Sequence, residues 1–281
     1  MTARTIVRPD PRPVGGARQA VRDGLTITWR YLKRVPRIPE VGIFAILQSI
    51  MFVLLFAFVF GGAIPLPGYT DPGAYREYLM PGIFAQTIAF AAATTAIGMA
   101  ADMSAGIIDR FRSLPMARSA VLSGRTVSDV VYNFGILIVL MLTGLVLGWT
   151  VRTGPVEFVA GVGLLLLFTF AISWAGVWIG LSVPSVEAAQ GIVFTTLFPL
   201  TFVSNVFVPT STLPDFLRPI AEWNPISVLT ASLRQLWGNP NPYATTGLPA
   251  EQPVLLTLFW VVVSVLVFGA LSVRRYNGLS R

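Results

Sequence analysis

Residues 106–125 read GIIDRFRSLPMARSAVLSGR, a charged stretch between two runs that suit hydrocarbon. Arg110, Arg112, Arg118 and Arg125 each carry a planar fork of donors that suits a carboxylate or a phosphate. Read as a helix, 107–114 sets Ile107, Ile108, Phe111 and Leu114 on one arc and Asp109, Arg112 and Ser113 on the other. Pro115 lacks the amide proton that the next turn needs and ends the helix. Such an element can push its apolar arc, centred on Phe111, into a partner while Asp109, Arg110 and Arg112 fix the register. The same residues also fit a solvated hairpin whose arginines only enforce topology.

Other chemistry is scarce. The chain has no Cys and no His, so it has no thiolate nucleophile, no imidazole base and none of the usual zinc or haem ligands. Its only lysine, Lys33, follows no glycine-rich run, and a phosphate-binding GxxxxGK[ST] loop is absent. The acidic residues nearest the apolar runs are Glu40, Asp102, Asp129, Glu157 and Glu187, all in loops or close to the expected ends. A proton relay needs ionisable groups within the bilayer, so the energy for any active transport comes from elsewhere. Polar and aromatic groups do occur inside two apolar runs: Gln86, Thr87, Phe90, Thr94 and Thr95 in one, Thr195, Thr196, Phe198, Phe202, Ser204 and Asn205 in the other. They can line a route for an amphipathic cargo, or bond only a neighbouring helix and their own backbone.

The elements that hold these groups follow from hydropathy. Of 281 residues, 54% are hydrophobic and 12% charged, against about 25% charged in a soluble domain. The fold expected is an all-α integral membrane protein. Six segments of the ~20 residues needed to span a bilayer fall at 43–62, 81–101, 127–149, 158–182, 189–208 and 254–273. The second, with AFAAATTAIGMAA, is small and mildly polar, which suits an inner packing helix. Sixteen of the twenty Arg and Lys lie in the N-terminal segment, the 102–126 loop and the C-terminal RRYNGLSR; Arg76, Arg152, Arg218 and Arg234 lie opposite. By the positive-inside rule both termini are cytoplasmic.

The flanking parts are also patterned. Residues 1–17 have the composition of a disordered tail. An amphipathic helix over 18–37, within a segment ending near 40, puts Val21, Leu25, Trp29 and Leu32 on one stripe and Arg22, Arg30, Lys33 and Arg37 on another, as a helix lying in the membrane interface does. The six-span domain takes the rest, 41–281. The external connection, about 209–253, contains a short helical piece near 213–222. It also contains a helix capped by Asn224, started by Pro225 and stopped by Gly238. Its stripe of Ile226, Leu229, Leu233 and Leu236/Trp237 suggests helices that lie on or dip into the outer leaflet.

Three stretches, YLMPGIFAQTIAF at 78–90, GIIDRFRSLPMARSAVLSGRTVSDVV at 106–131 and NPISVLTASLRQL at 224–236, resemble the ABC-2 class of ABC exporter permeases, most closely the daunorubicin/doxorubicin-resistance type. The resemblance runs through nearly the whole chain in span order. It implies the type V exporter fold: a six-span half-transporter working as a homodimer with two copies of a separate ATPase, which binds the ATP and Mg. This chain then binds no cofactor and is not itself an enzyme. The resemblance implies a coupling helix at about 104–115, carried here by Ile108, Asp109, Arg110, Phe111, Arg112, Leu114 and Pro115. It implies a substrate path along Gln86, Thr87, Phe90, Thr94, Thr195, Phe198, Phe202 and Asn205. The cargo it implies is a hydrophobic or amphipathic compound, drug-like or lipid-like, moved out across the cell membrane. Export of a lipid-linked glycan by the same architecture is an alternative, as is, from other classes, a lipid-modifying membrane enzyme or a passive channel.

Overall fold

A computed structural model describes residues 17–33, 39–60, 66, 68–69, 73–113, 118–242 and 247–278, and its regular elements are all helical among the described residues. In chain order they are α1 (Ala17–Leu32), α2 (Pro39–Leu54) with a π-helical continuation (Leu55–Phe60), α3 (Ala74–Ser104), α4 (Ile107–Ser113), α5 (Arg118–Val146) and α6 (Pro155–Ser182). There follow α7 (Val186–Phe202), a 3₁₀ turn (Thr210–Thr212), α8 (Arg218–Trp223), α9 (Pro225–Trp237), α10 (Leu248–Glu251) and α11 (Pro253–Gly278). The expected tail over 1–17 falls almost wholly outside the described residues, as does the end of the expected 18–37 helix.

Among the described residues four helices are long and apolar enough to cross a membrane: Ala74–Ser104, Ala120–Val146, Pro155–Ser182 and Pro253–Gly278; Ile46–Val59 and Val186–Phe202 are shorter apolar helices. The small second segment forms the innermost of them. Its Ala92 and Ala96 meet Gly176 and Gly180 of α6 so closely that a Cβ on either glycine would lie 2.5 or 2.6 Å from a backbone oxygen of α3. Small residues four apart permit that approach, and dispersion attraction between the close backbones holds the two helices together where no hydrophobic effect operates. Outward faces are apolar instead. On α5, Val127, Val131, Phe134, Ile138 and Leu142 are exposed at helical spacing, and on α11 Leu255, Phe259, Val262 and Leu266 are. In water such bands would aggregate; in hydrocarbon they are the matching surface.

The outer connection and α1 each pack by faces that the sequence pattern does not reveal. The helix after Asn224 dips inward among its neighbours. Asn224 caps it by accepting from the Ile226 amide at 2.9 Å, and Gly238 ends it at φ 67°, as its residues demand. Yet residues 226–234 of α9 are all buried, polar ones included, because the helix inserts among α3, α6 and α11. Among the described residues of this connection, Phe216, Ile220 and Trp223, in and beside α8, and Leu248 are the large apolar side chains left exposed. Likewise α1 docks by a face that its apolar stripe does not reveal. Val21, Leu25 and Trp29 stay exposed, whereas Gly24, Ile27, Thr28 and Tyr31 are buried against α5. The two backbones nearly touch there: a Cβ on Gly124 would sit 2.7 Å from the Gly24 carbonyl oxygen, and the Thr28 hydroxyl donates to the Gly124 carbonyl at 3.0 Å.

Candidate coupling site and substrate path

The short helix α4 follows α3 through a turn in which Gly106 adopts φ 65°, a conformation that costs glycine least. Ile108 is 1% exposed and packs with Met99, Leu122, Val177, Leu181 and Tyr276, while Phe111 is partly buried against the same cluster. The Arg30 guanidinium of α1 lies 4.7 Å from the centre of the Phe111 ring. Ile108 and the covered side of Phe111 thus seat α4 on its own chain, where the ends of α3, α5, α6 and α11 converge beneath it. Asp109, Arg110 and Ser113 are the exposed residues. Arg112 lies within α4; Leu114 and Pro115, with the expected stop, lie outside the described residues.

Beside α4 is a buried charge network that the reading of carboxylates as loop or end residues misses. Asp102, in the last turn of α3, is 2% exposed, and Asp129, three turns into α5, is 7% exposed. Arg125 lies between them, its Nε 3.3 Å from Asp129 Oδ2 and its Nη1 3.9 Å from Asp102 Oδ2. The Thr95 hydroxyl donates to Asp129 at 2.7 Å. From α1 the Tyr31 hydroxyl donates to Asp102 at 2.7 Å, and the Arg125 guanidinium stacks 4.7 Å from the Tyr31 ring centre. Burial and the Asp102 carboxylate push the Tyr31 phenol above its ordinary range, so it remains a donor at physiological pH. A buried charge is tolerated only when paired and hydrogen-bonded, and these partners come from three helices.

On the side of this network away from α4, α2, α3 and α5 enclose an open cleft lined by Gln48, Ser49 and Phe52, by Gln86, Thr87, Phe90 and Thr94, and by Tyr132, Asn133 and Ile136. Four of the anticipated path residues thus share one surface. Ser49 and Thr87 hydroxyls meet at 3.2 Å across it. The α2 and α5 residues carry the same signal, a polar group inside an apolar run, that singles out Gln86 and Thr87. Thr195, Phe198 and Phe202 lie on the exposed face of α7. Rings link the two regions: Phe90 to Phe198 at 5.8 Å, Phe198 to Phe202 at 6.2 Å, Phe202 to Phe207 at 5.8 Å, and Phe207 to Phe56 at 4.1 Å.

Asn205 lies elsewhere. It is buried just beyond α7, where the backbone leaves the helix and its carbonyls need donors. The Tyr78 hydroxyl reaches the Asn205 carbonyl at 2.7 Å, and Asn224 donates to the Leu200 and Val203 carbonyls at 2.6 and 2.8 Å. Arg234, counted from sequence as an outer-side charge, is 1% exposed; it donates to the Tyr78 and Asn205 carbonyls, each at 2.9 Å, and lies 3.5 Å from the Tyr78 ring centre. The side chains of α3 and α9 thereby satisfy an irregular segment inside the protein. Near the start of α3, Glu77 is buried and pairs with Arg152 at 2.7 Å.

Comparison with known proteins agrees with this architecture. The family model described as ABC-2 type transporter matches residues 23–237, from α1 through α9. The daunorubicin resistance ABC transporter permease protein DrrB1 of Streptomyces coeruleorubidus is 29% identical over 98% of this chain and 92% of its own length. The probable doxorubicin resistance ABC transporter permease protein DrrC of Mycobacterium tuberculosis is 24% identical over 89% of this chain and 86% of its own. The putative transport permease ycf38 of Porphyra purpurea is 20% identical over 75% and 72%. With the amphipathic α1, the long apolar helices, α4 and the inserted α9 all inside or beside the matched region, the chain belongs to the ABC-2 type transporter family, as a permease homologous to the membrane subunits of drug-resistance exporters.

Proposed function

We propose that this chain is the membrane subunit of an ATP-driven exporter of hydrophobic or amphipathic compounds, working as a homodimer with two copies of a separate ATPase. The observation that carries the reading is the similarity, over 98% of the chain, to a permease named for daunorubicin resistance. The missing phosphate-binding loop fits it, because the ATP and its Mg then belong to the partner. The four long helices, with α2 plus its π-helical continuation and α7 as two shorter crossings, give six spans. The basic asymmetry favours both termini and α4 in the cytoplasm and the segment from about 209 to 253 outside. The exposed stripe of α1 suits the headgroup boundary, and the exposed Asp109, Arg110 and Ser113 of α4 are the surface offered to the ATPase.

The cargo meets the cleft between α2, α3 and α5. One chain offers it about 80 Å³ of room, whereas drug-sized ligands occupy sites of roughly 300 Å³ or more. A second surface must complete the enclosure, which favours a route shared between two copies with the α7 phenylalanines at its edge. The test is reconstitution of the chain with and without its ATPase. Mg-ATP turnover and ATP-dependent uptake of daunorubicin into inside-out vesicles should require both chains. Turnover by the isolated, rigorously purified chain would overturn the reading.

A further inference from the structure

We infer that Arg125 is a positioning residue that ties the state of the cleft to the seating of α1, and through α1 to α4; the inference rests on the transport reading above. The contacts form an unbroken run. Tyr31 of α1 holds Asp102 at 2.7 Å; Arg125 is shared between Asp102 and Asp129; and Arg125 Nη2 donates to the Thr94 carbonyl at 3.3 Å. Asn133 donates to the Asp129 carbonyl at 2.8 Å. Thr94 and Asn133 both line the cleft. At the other end, the residue next to Tyr31 is Arg30, stacked on Phe111 of α4. Adjacent residues of α1 therefore grip α4 and the charge network.

The network has the asymmetry that a two-state element requires. Arg125 is shared between two carboxylates and stands closer to Asp129, at 3.3 Å, than to Asp102, at 3.9 Å. The Tyr31 hydroxyl sets that balance, because its hydrogen bond to Asp102 supplies part of what Asp102 would otherwise draw from Arg125. If a pull on α4 and α1 withdraws Tyr31, Asp102 loses one donor and draws Arg125 closer. The Thr94 carbonyl then loses its donor, and Asp129 gives up its cation and keeps the Thr95 hydroxyl. Buried charges make such a shift discrete, since an intermediate with an unpaired carboxylate is costly. The guanidinium lies against Gly98, where a Cβ would force Arg125 Nη2 to shift. A set of bonds that merely stapled three helices together would hold them equally in both states of the cycle; a relay must lose its effect at the cleft when the α1 contact alone is removed.

The chain has no native cysteine, so Thr94→Cys is a clean reporter in the cleft. The complex with its ATPase, in nanodiscs, is treated with N-ethylmaleimide before and after trapping with Mg-ATP and vanadate. Trapping should change the labelling rate, and Tyr31→Phe, which removes one hydroxyl, should shrink that change about tenfold, the size of one hydrogen bond to a charged group. Asp102→Asn should have a similar effect, and the double variant should add little to either single one, as for residues acting through one contact. A trapping-dependent change that persists at full size in Tyr31→Phe overturns the relay and leaves the transport reading intact. No change in the Thr94→Cys complex with wild-type Tyr31 overturns both.

Discussion

The Arg30 guanidinium lies 4.7 Å from the centre of the Phe111 ring, so the amphipathic helix clamps the short helix that follows α3. Phe111 is thus partly engaged within its own chain, while Asp109 and Arg110 of α4 are exposed. Two substitutions separate these roles.

Phe111→Ala should loosen α4. Lost packing and the lost cation–π contact together amount to about 2 kcal/mol of local stability, or roughly thirtyfold faster amide exchange over 107–113. Hydrogen exchange of the purified chain measures it. Asp109→Arg should leave that exchange close to wild type and reduce co-purification with the ATPase. Equal exchange in Phe111→Ala and wild type would mean that the clamp contributes nothing.

Side-specific labelling tests the orientation. Asp215 is almost fully exposed, on the connection between α7 and α8, and Ser113 is exposed on α4. An impermeant maleimide should reach Asp215→Cys from outside intact cells and Ser113→Cys only after permeabilisation. The opposite pattern would invert the topology.

The α3–α6 contact should not accept a methyl group. Gly180→Ala places a Cβ 2.6 Å from both the Ala96 carbonyl oxygen and the Met99 Cβ. Since backbone cannot move aside cheaply inside a packed pair, the loss should be about 1–3 kcal/mol. Gly191→Ala, with nothing within 4 Å of the new Cβ, should be neutral or stabilising by up to about 1 kcal/mol. Thermal unfolding in detergent compares the two; equal midpoints would refute the close contact.

Arg234→Gln should destabilise the outer half. It removes a charged donor from the Tyr78 and Asn205 carbonyls, and a hydrogen bond to a charged group is worth about 1.5–3 kcal/mol. Arg234→Lys should recover little, because a point charge cannot reproduce the fork or the stacking on Tyr78. The readout is the unfolding midpoint together with protease sensitivity of the 203–224 segment. Full rescue by lysine would show that charge alone matters there.

Sequence by itself determined the helices. Apolar run length marked the long crossings, Asn224, Pro225 and Gly238 bounded α9 to the residue, and the small residues of 81–101 announced an inner helix, because each of these is a local preference of backbone or side chain. The resemblance in 78–90, 106–131 and 224–236 reached the family for the same reason: it is carried by contiguous residues. What only the tertiary structure decided is which faces meet. An apolar arc on α4 reads identically whether it faces a partner or its own chain, and Ile108 turned inward because four helix ends converge beneath it. The stripe of Val21, Leu25 and Trp29 hid the docking face at Gly24, Thr28 and Tyr31, where close backbone approach rather than apolar area makes the contact. Asp102 and Asp129 looked like end charges because hydropathy averages over a window and cannot register pairing. Their partners, Tyr31 and Arg125, are brought into place by the packing of α1, α3 and α5, and only that packing makes two buried carboxylates tolerable.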